Sequence, residues 1–327
     1  MRIAILGLGS WGTALALRLG ARHTLYGWTH DHGQREALRQ DRENRKYLPG
    51  VPLPAALTIE ESPEIAVRGA ELIVLAVPSF AVRDTAKLLV QDSGAPVVNV
   101  AKGLEHGTAK LLLSVLAEEL GTDRPIASLV GPSHAEEVAR HHPTAVVATS
   151  RDPRVSRLAQ DVMTDDRFRV YTNDDTVGVE LAASLKNVIA LAAGIAAGLG
   201  YGDNTLGALL TRGLAEMTRL GVRLGARPET FFGLSGVGDL VTTCASPLSR
   251  NRRVGEAVGR GESLASVLEG MSMVAEGVWT TRAARELGRR TGVELPIVDR
   301  VHAVLFESEP AETGIHMLMT RELKAEV

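Results

Sequence analysis

Short apolar runs alternate with helix-forming segments over the first half of the chain. The run Leu72-Ile73-Val74-Leu75-Ala76-Val77 is typical, because it has the length of a strand and contains no polar position. Such a run suits a strand that is buried on both faces of a parallel sheet. The pattern predicts strands at 2–6, 23–28, 72–77, 97–101, 126–130, 144–149 and 168–171, with helices between them such as 109–120 and 154–164. This alternation indicates an α/β domain with a doubly wound sheet.

Strand signals stop after about residue 174. The rest of the sequence predicts helices at 176–199, 204–225, 228–232, 251–259, 263–269, 274–290 and 295–306, separated by glycine and proline. With 327 residues, the chain is long enough for two domains. We therefore expect a sheet domain over residues 1–173 and a mostly α-helical domain over residues 174–327.

A glycine-rich turn follows the first predicted strand. The segment Gly7-Leu8-Gly9-Ser10-Trp11-Gly12 has the pattern G-x-G-x-x-G and leads into residues that favour a helix. In this context Gly7 permits a tight turn, Gly9 lets the backbone approach a pyrophosphate, and Gly12 lets helix and strand pack closely. The turn predicts a Rossmann-type domain that binds a dinucleotide. A secretory signal peptide is the alternative, and the glycines and Arg18 that interrupt the apolar run argue against it.

Composition narrows the class of protein further. The net charge is −3, from 36 Lys and Arg against 39 Asp and Glu, which argues against a nucleic-acid partner. The single cysteine, Cys244, excludes a disulfide framework and a cysteine-based metal site, and it fits a reducing cytoplasm. No pair of histidines has metal-ligand spacing, so we expect no metal. Residues 177–199 are apolar enough for a membrane span, but their alanines and glycines favour a tightly packed core helix instead.

Several loops should meet at one edge of the sheet. In an open parallel sheet, ligands bind beyond the carboxyl ends of the strands. The glycine turn, residues 77–79, Lys102 with Gly103, and residues 131–135 all follow predicted strands. They should therefore line one cleft, where Lys102 could hold an anionic or carbonyl group. A solvated loop lysine is the simpler alternative.

Lys186 is the strongest candidate in the helical half. It lies among small and branched apolar residues in Ala182-Ala183-Ser184-Leu185-Lys186-Asn187-Val188-Ile189. Burial disfavours a charged ammonium, so a lysine placed there is suited to act as a general acid or base. The alternative is a lysine whose stem packs on apolar surface while its head reaches water. Asn187 could hydrogen-bond a substrate hydroxyl.

Two polar clusters follow in the helical half. Ser249, Arg250 and Asn251 stand at the start of a predicted helix, where a serine cap, free backbone N–H groups and a guanidinium together suit an anion. A solvated helix start is the alternative. Asp239 lies in the glycine-rich segment 234–240 and could orient a lysine or a substrate hydroxyl, or cap the following helix.

Taken together, the motifs resemble the bacterial NAD(P)-dependent glycerol-3-phosphate dehydrogenases over essentially the whole chain. The segments that carry the resemblance are GLGSWGTALA at 7–16, ENRKYLP at 43–49, AVPS at 76–79, AKGLE at 101–105, GPSHAEEV at 131–138, FRVYTN at 168–173, GVELAASLKNVIALAAGIAAGLGYGDN at 178–204, TRGLAEM at 211–217, GLSGVGDLVTTC at 233–244, SRNRRVG at 249–255 and EGVWTT at 276–281. Their order and spacing are far more specific than any single motif.

The resemblance implies reversible hydride transfer between NAD or NADP and C2 of sn-glycerol 3-phosphate, with dihydroxyacetone phosphate as the ketone. It implies that Lys186 donates and accepts the proton and that Lys102 contacts both substrate and cofactor. Further implied substrate contacts are Gly131, Ser133, Asp239, Ser249, Arg250 and Asn251. Further implied cofactor contacts are Gly7, Gly9, Ser10, Trp11, Gly12, His30, Ala135, Arg250, Val274 and Glu276.

One position departs from the family pattern. Family members commonly carry an arginine just after the second strand, suited to an adenosine 2′-phosphate, and this chain has Asp31 there. An acid at this place favours a free ribose 2′-hydroxyl and repels a 2′-phosphate. We therefore expect a weakened preference for NADPH, although His30 could still contact a phosphate.

Two other classes of protein remain as alternatives. A related two-domain dehydrogenase that acts on a hydroxy acid or sugar acid would share the dinucleotide domain and a helix-borne lysine, but it would not need the anion site at 249–251. A non-catalytic NAD-binding protein would not need Lys102, Lys186 and Asp239. The resemblance also implies a cytoplasmic enzyme whose product feeds phospholipid synthesis. The alanine- and glycine-rich helical faces make a homodimer plausible.

Overall fold

The first half of the protein forms one eight-stranded sheet. The computed structural model describes residues 1–89, 94–271, 273–323 and 325. The strands are β1 Arg2–Leu6, β2 Thr24–Trp28, β3 Leu57–Ile59, β4 Leu72–Leu75, β5 Val97–Asn99, β6 Ile126–Val130, β7 Thr144–Thr149 and β8 Phe168–Asn173. Their order across the sheet is β3-β2-β1-β4-β5-β6-β7-β8, and every pair is parallel except β6 with β7.

Helices cover both faces of this sheet and form most of the described residues after β8. They are α1 Ser10–Leu19, α2 His32–Asp41, α3 Pro63–Val67, α4 Val82–Lys87, α5 Leu112–Leu120, α6 Ala135–Ala139, α7 Pro153–Met163, α8 Thr176–Gly198, α9 Asp203–Arg223, α10 Asp239–Ala245, α11 Arg250–Gly259, α12 Leu264–Glu269, α13 Glu276–Thr291, α14 Pro296–Phe306 and α15 Ala311–Met319. The predicted fold class, a Rossmann-type doubly wound sheet followed by a mostly helical half, is confirmed.

The structure corrects several details of the prediction. The strands predicted at 72–77 and 97–101 end earlier, at Leu75 and Asn99. The edge strand β3 was missed, because its three residues are too few to show a periodic pattern. The C-terminal helix α15 was also missed, and no bounds were predicted for the short helix α10. The antiparallel pairing of β6 with β7 departs from a fully parallel sheet, since apolar runs carry no information about strand direction.

The sheet is buried on both faces, which explains its unbroken apolar strands. In β1, Ile3 and Ile5 belong to the apolar cluster on one face, while Ala4 and Leu6 belong to the cluster on the other. Side chains alternate in this way because successive residues of a strand point to opposite faces. Because β1, β4 and β5 are neighbouring parallel strands, the loops at their carboxyl ends lie side by side along one edge of the sheet.

Helix α8 is the central helix of the second half. Over the described residues it alone is long and apolar enough to cross a membrane, yet 83% of its most apolar window is buried inside the protein. It is therefore a core helix, as expected. It crosses α11 at very short range: a Cβ added to Gly194 would lie 2.0 Å from the Arg252 carbonyl oxygen. This packing fixes the start of α11 relative to Lys186 and Asn187 on α8.

Candidate active site

A cavity of about 430 Å³ lies at the carboxyl edge of the sheet, between the strand-end loops and the helical half. Most of the residues singled out from the sequence line it. They are Gly7, Gly9, Ser10, Trp11, His30, Lys102, Ser133, Ala135, Lys186, Asp239, Ser249, Arg250, Asn251, Val274 and Glu276. Gly12 and Gly131 are not among the lining residues, although the Gly131 carbonyl oxygen accepts a hydrogen bond from Lys102, which is. The structure thus brings both halves of the candidate site together.

The glycine turn has the shape that a dinucleotide needs. Gly7 has a φ of 101°, and a Cβ there would lie 2.4 Å from the Ala76 carbonyl oxygen of the neighbouring strand end. A Cβ on Gly12 would lie 1.9 Å from the Gly7 carbonyl oxygen. A Cβ on Gly9 would meet nothing within 4 Å, so the backbone there is open to a ligand. Because α1 starts at Ser10, its free N–H groups face the same space, and these residues fit a pyrophosphate.

Asp239 joins the two candidate lysines. Its Oδ1 lies 2.9 Å from Lys186 Nζ, and its Oδ2 lies 3.0 Å from Lys102 Nζ. Lys102 Nζ also donates to the Gly131 carbonyl oxygen at 2.5 Å and lies 3.3 Å from Ser133 Oγ. Two ammonium groups from different halves of the protein are therefore held at one carboxylate.

Burial and the two lysines shape the charges of this cluster. Burial lowers the pKa of Lys102 to about 8; the Asp239 carboxylate opposes that change, and Lys186 adds to it. Burial alone would raise the pKa of Asp239, but Lys102 and Lys186 together hold it below its usual value. Asp239 is therefore a carboxylate at neutral pH, within hydrogen-bond distance of both lysine side chains.

Thr243 is a residue of this cluster that sequence reasoning missed. Its hydroxyl lies 2.6 Å from Lys186 Nζ and 3.2 Å from Asp239 Oδ1. Thr243 and Asp239 are four residues apart on α10, so their side chains share one face of that helix. The spacing in DLVTT was the available signal, but the sequence analysis gave no bounds for a helix here and considered Asp239 only as its possible cap, a position that Gly238 takes.

A second polar network runs from α8 to the start of α11. Asn251 Nδ2 donates to Asn187 Oδ1 at 2.9 Å, and Asn251 Oδ1 accepts from the Gly277 backbone N–H at 2.9 Å. Ser249 caps α11, as expected, by accepting from the Arg252 N–H. Arg250 lines the cavity at the first turn of that helix, and its guanidinium has no hydrogen-bond partner among the described residues. Its guanidinium is therefore free to bind an anion.

Glu276 connects the helical half to the loop after β4. Its carboxylate accepts from the Ser79 N–H at 2.9 Å and from the Ser79 hydroxyl at 2.5 Å. Burial raises the pKa of Glu276, although both bonds from Ser79 oppose that rise. The two residues are 197 positions apart in sequence, so this link could not be read from the chain.

His134 faces the same cavity from the loop after β6. Burial lowers its pKa, and the Lys186 ammonium lowers it further, so the imidazole is neutral at neutral pH. Over the described residues, no group of three or more His, Cys, Asp or Glu side chains is placed to hold a metal ion.

Two family models match this chain, and together they span most of it. The N-terminal model of the NAD-dependent glycerol-3-phosphate dehydrogenases matches residues 2–156, and the C-terminal model of the same family matches residues 175–316. The chain belongs to the NAD-dependent glycerol-3-phosphate dehydrogenase family. It is therefore an oxidoreductase that uses a nicotinamide dinucleotide.

Full-length relatives agree with this family. A glycerol-3-phosphate dehydrogenase of Chlorobium limicola is 50% identical and covers 100% of both chains. Another, of Moorella thermoacetica, is 52% identical over 99% of this chain and 97% of its own. The crystal structure of glycerol-3-phosphate dehydrogenase from Coxiella burnetii has a TM-score of 0.94 at 38% identity and covers 98% of both chains.

Two-domain dehydrogenases that act on other substrates share only the fold with this protein. A ketopantoate reductase from Ralstonia eutropha has a TM-score of 0.61 at 15% identity. A D-mandelate dehydrogenase has a TM-score of 0.65 at 13% identity. The architecture is common to several dehydrogenases, so the substrate has to be argued from the residues of the cavity.

Proposed function

We propose that this protein interconverts sn-glycerol 3-phosphate and dihydroxyacetone phosphate, with Lys186 as the proton donor and acceptor. One observation carries the proposal: Lys186 and Lys102 meet at Asp239 in a cavity that also holds the unpaired guanidinium of Arg250. The cluster suits a developing alkoxide, and the guanidinium suits a phosphate at the other end of the same small molecule.

Lys186 stabilises the charge that builds on the substrate oxygen. When bound, the nicotinamide supplies or accepts a hydride at C2. Reduction of the ketone makes the C2 oxygen basic, and the Lys186 ammonium donates a proton to it. Asp239 and Thr243 orient that ammonium, since both lie within hydrogen-bond distance of Nζ. In the oxidative direction the neutral amine takes the proton back.

Lys102 contributes positive potential and position. It is held by Asp239 and by the Gly131 carbonyl oxygen, beside Ser133. We assign Lys102, Gly131 and Ser133 to the substrate, with Lys102 also reaching the cofactor. A polarised ketone oxygen placed between two ammonium groups is more easily reduced, because the transition state carries more negative charge than the substrate does.

The start of α11 holds the phosphate. Arg250 offers an unpaired guanidinium at the N-terminus of α11, where the helix dipole also favours an anion. Asn251 is fixed by Asn187 and Gly277, so its position relative to Lys186 is set. Anchoring the phosphate here places C2 against the reacting groups.

The remaining assignments belong to the cofactor. Gly7, Gly9, Ser10 and Gly12 form the pyrophosphate turn. Six residues that line the cavity are assigned as further cofactor contacts: Trp11, His30, Ala135, Arg250, Val274 and Glu276.

The proposal also covers the domain boundaries, the oligomeric state and the cellular location. Residues 1–173 and 174–327 form the dinucleotide and substrate domains, and α8 starts three residues after β8 ends. The protein is a cytoplasmic homodimer whose product serves phospholipid synthesis. Its single cysteine is buried, which fits a reducing compartment.

A substrate panel with an Arg250 variant tests the assignment. We expect the parent to reduce dihydroxyacetone phosphate and to reduce unphosphorylated dihydroxyacetone and 2-keto acids poorly. Arg250→Gln should raise KM for dihydroxyacetone phosphate by about 100-fold, since a charge-assisted bidentate contact is lost. Its activity with dihydroxyacetone should fall much less, because only the contact of Arg250 with the cofactor is lost there. Equal losses on both substrates would contradict the phosphate assignment, and reduction of a keto acid instead would favour the alternative class.

A further inference from the structure

One buried serine joins the two halves of the protein beside the cavity. Ser79 follows β4 and is 2% exposed, and Glu276 starts α13 in the helical half. The Ser79 N–H donates to Oε1 of Glu276 at 2.9 Å, and the Ser79 hydroxyl donates to Oε2 at 2.5 Å. Both carboxylate oxygens are therefore held by one residue. Glu276 lines the cavity, whereas Ser79 is not among the described residues that do, so Ser79 acts there through a neighbour.

The loop that carries Lys102 packs directly on this contact. A Cβ added to Gly103 would lie 2.7 Å from the Ser79 Cβ and 3.2 Å from Oε2 of Glu276. The first distance is too short for a carbon–carbon contact, so the backbone next to Lys102 lies against the pair. On the other side, Asn187 Nδ2 lies 3.5 Å from the Lys102 carbonyl oxygen. The position of this loop therefore depends on how the two halves meet.

The start of α13 also contacts the helices that carry the other candidate lysine. The Gly277 N–H donates to Asn251 Oδ1 at 2.9 Å. Asn251 in turn donates to Asn187, which follows Lys186 on α8. Two consecutive residues of α13 thus bind opposite sides of the cavity: Glu276 binds the sheet half, and Gly277 binds the network beside Lys186. A shift at the Ser79 contact would change the distance between the two sides.

An aromatic contact beside the serine holds the same elements together independently. The His106 ring, in the loop after β5, contacts both Phe80 and Trp279, with ring centroids 5.8 and 5.2 Å apart. Phe80 is next to Ser79, and Trp279 is one turn along α13 from Glu276. Loss of the Ser79 hydroxyl should therefore change the alignment of the two halves without separating them.

We propose that Ser79 is a positioning residue for hydride transfer, which aligns the dinucleotide half with the substrate half through Glu276. The proposal rests on the proposed function, because it requires a coenzyme on the sheet half and a ketone beside Lys186. Reacting atoms have to lie about 3–3.5 Å apart, and a misplacement of about 1 Å can cost about 100-fold in rate. Ser79 therefore affects the chemical step without touching coenzyme or substrate.

The rate of dihydroxyacetone phosphate reduction, measured with NADH and with NADH deuterated at C4, tests this in Ser79→Ala. The variant loses the hydroxyl donor and keeps the backbone N–H. We expect kcat to fall about tenfold and the deuterium isotope effect on kcat to rise, because hydride transfer becomes slower relative to product release. KM for dihydroxyacetone phosphate should change less than about threefold, since Arg250 and Lys186 both belong to the helical half.

A matched control and a double-mutant cycle separate positioning from a general loss of stability. Ser156→Ala removes a similarly buried hydroxyl on α7, 4% exposed, which donates to the Pro153 carbonyl oxygen at 3.1 Å. It should leave kcat and the isotope effect unchanged. In the Glu276→Ala background, Ser79→Ala should lower kcat less than about twofold further, because its partner is already gone. If Ser79→Ala does not fold, Ser79→Cys, which has a weaker donor, replaces it in every comparison.

The outcomes distinguish this proposal from the proposed function. A parent that reduces dihydroxyacetone phosphate, with Ser79→Ala matching Ser156→Ala in kcat and isotope effect, would overturn the positioning role and leave the function standing. Equal effects of Ser79→Ala with and without the Glu276 side chain would do the same. A parent that does not reduce dihydroxyacetone phosphate would refute the function and the positioning role together.

Discussion

Neutralising Asp239 should destabilise the protein more than neutralising an exposed acidic residue does. Its side chain is 2% exposed, and the lysine side chains that it holds are 6% and 17% exposed for Lys186 and Lys102. Removing one partner of a buried ion pair costs about 3–5 kcal/mol. Asp239→Asn keeps an oxygen that can accept a hydrogen bond. We therefore expect the free energy of unfolding to fall by about 3 kcal/mol, the lower end of that range. At roughly 2 °C per kcal/mol, the Tm should fall by about 6 °C.

This cost should also depend on pH, through Lys102. The pKa of Lys102 is lowered to about 8 in the folded protein, so the parent gains stability as pH rises above that value. Without the Asp239 charge, burial and Lys186 lower the pKa of Lys102 further. The free energy of unfolding of Asp239→Asn therefore begins to rise at a lower pH than that of the parent. The stability that the variant has lost relative to the parent is larger at about pH 6 than at about pH 9.

Both expectations are tested by thermal denaturation of Asp239→Asn, the parent and a matched control at about pH 6 and about pH 9. Asp84→Asn removes the same charge from an exposed pair with Lys87 and should not change the Tm measurably. The reasoning would be refuted if Asp239→Asn cost no more than Asp84→Asn, or if its deficit were the same at both pH values.

Two further predictions concern the cluster and the helix crossing. Thr243→Val should lower kcat about 10- to 100-fold, because Lys186 loses a hydrogen-bond partner, and Thr243→Ser should restore most of the activity; equal kcat for the valine variant and the parent would contradict this. Gly194→Ala should destabilise the protein by about 3 kcal/mol or more in urea denaturation, since its Cβ would lie 2.0 Å from the Arg252 carbonyl oxygen. Gly207→Ala, in open space on α9, should instead stabilise it by about 1 kcal/mol, and the same sign for both glycines would argue against the close crossing.

Much of the site could be predicted because local sequence carries it. The glycine turn is contiguous, and the rule that ligands bind at the carboxyl ends of strands directed attention to Lys102 and to residues 131–135. Lys186 was found because a charged residue stands out in an apolar helix. Ser249 was found because an N-cap lies next to the helix that it caps.

What could not be predicted depends on contacts between distant residues. Asp239 was singled out, but not as the carboxylate that two lysines share, one of which is 137 positions away. The partnership of Glu276 with Ser79 spans 197 positions. Likewise, β3 is stabilised by its pairing with β2 rather than by its own three residues. Sequence patterns report burial and local propensity, whereas these features depend on which elements meet in space.

The central claim is that Lys186 transfers the proton to and from the C2 oxygen. Its most direct test is the rate of dihydroxyacetone phosphate reduction, followed by the loss of nicotinamide absorbance, for the parent and for Lys186→Ala. Lys110→Ala, at an exposed lysine paired with Glu118, is the control. We predict activity in the parent and the control, and a kcat about 10²- to 10⁴-fold lower in Lys186→Ala. A kcat for Lys186→Ala within about tenfold of the parent would contradict the claim and place the general acid elsewhere, with Lys102 the next candidate.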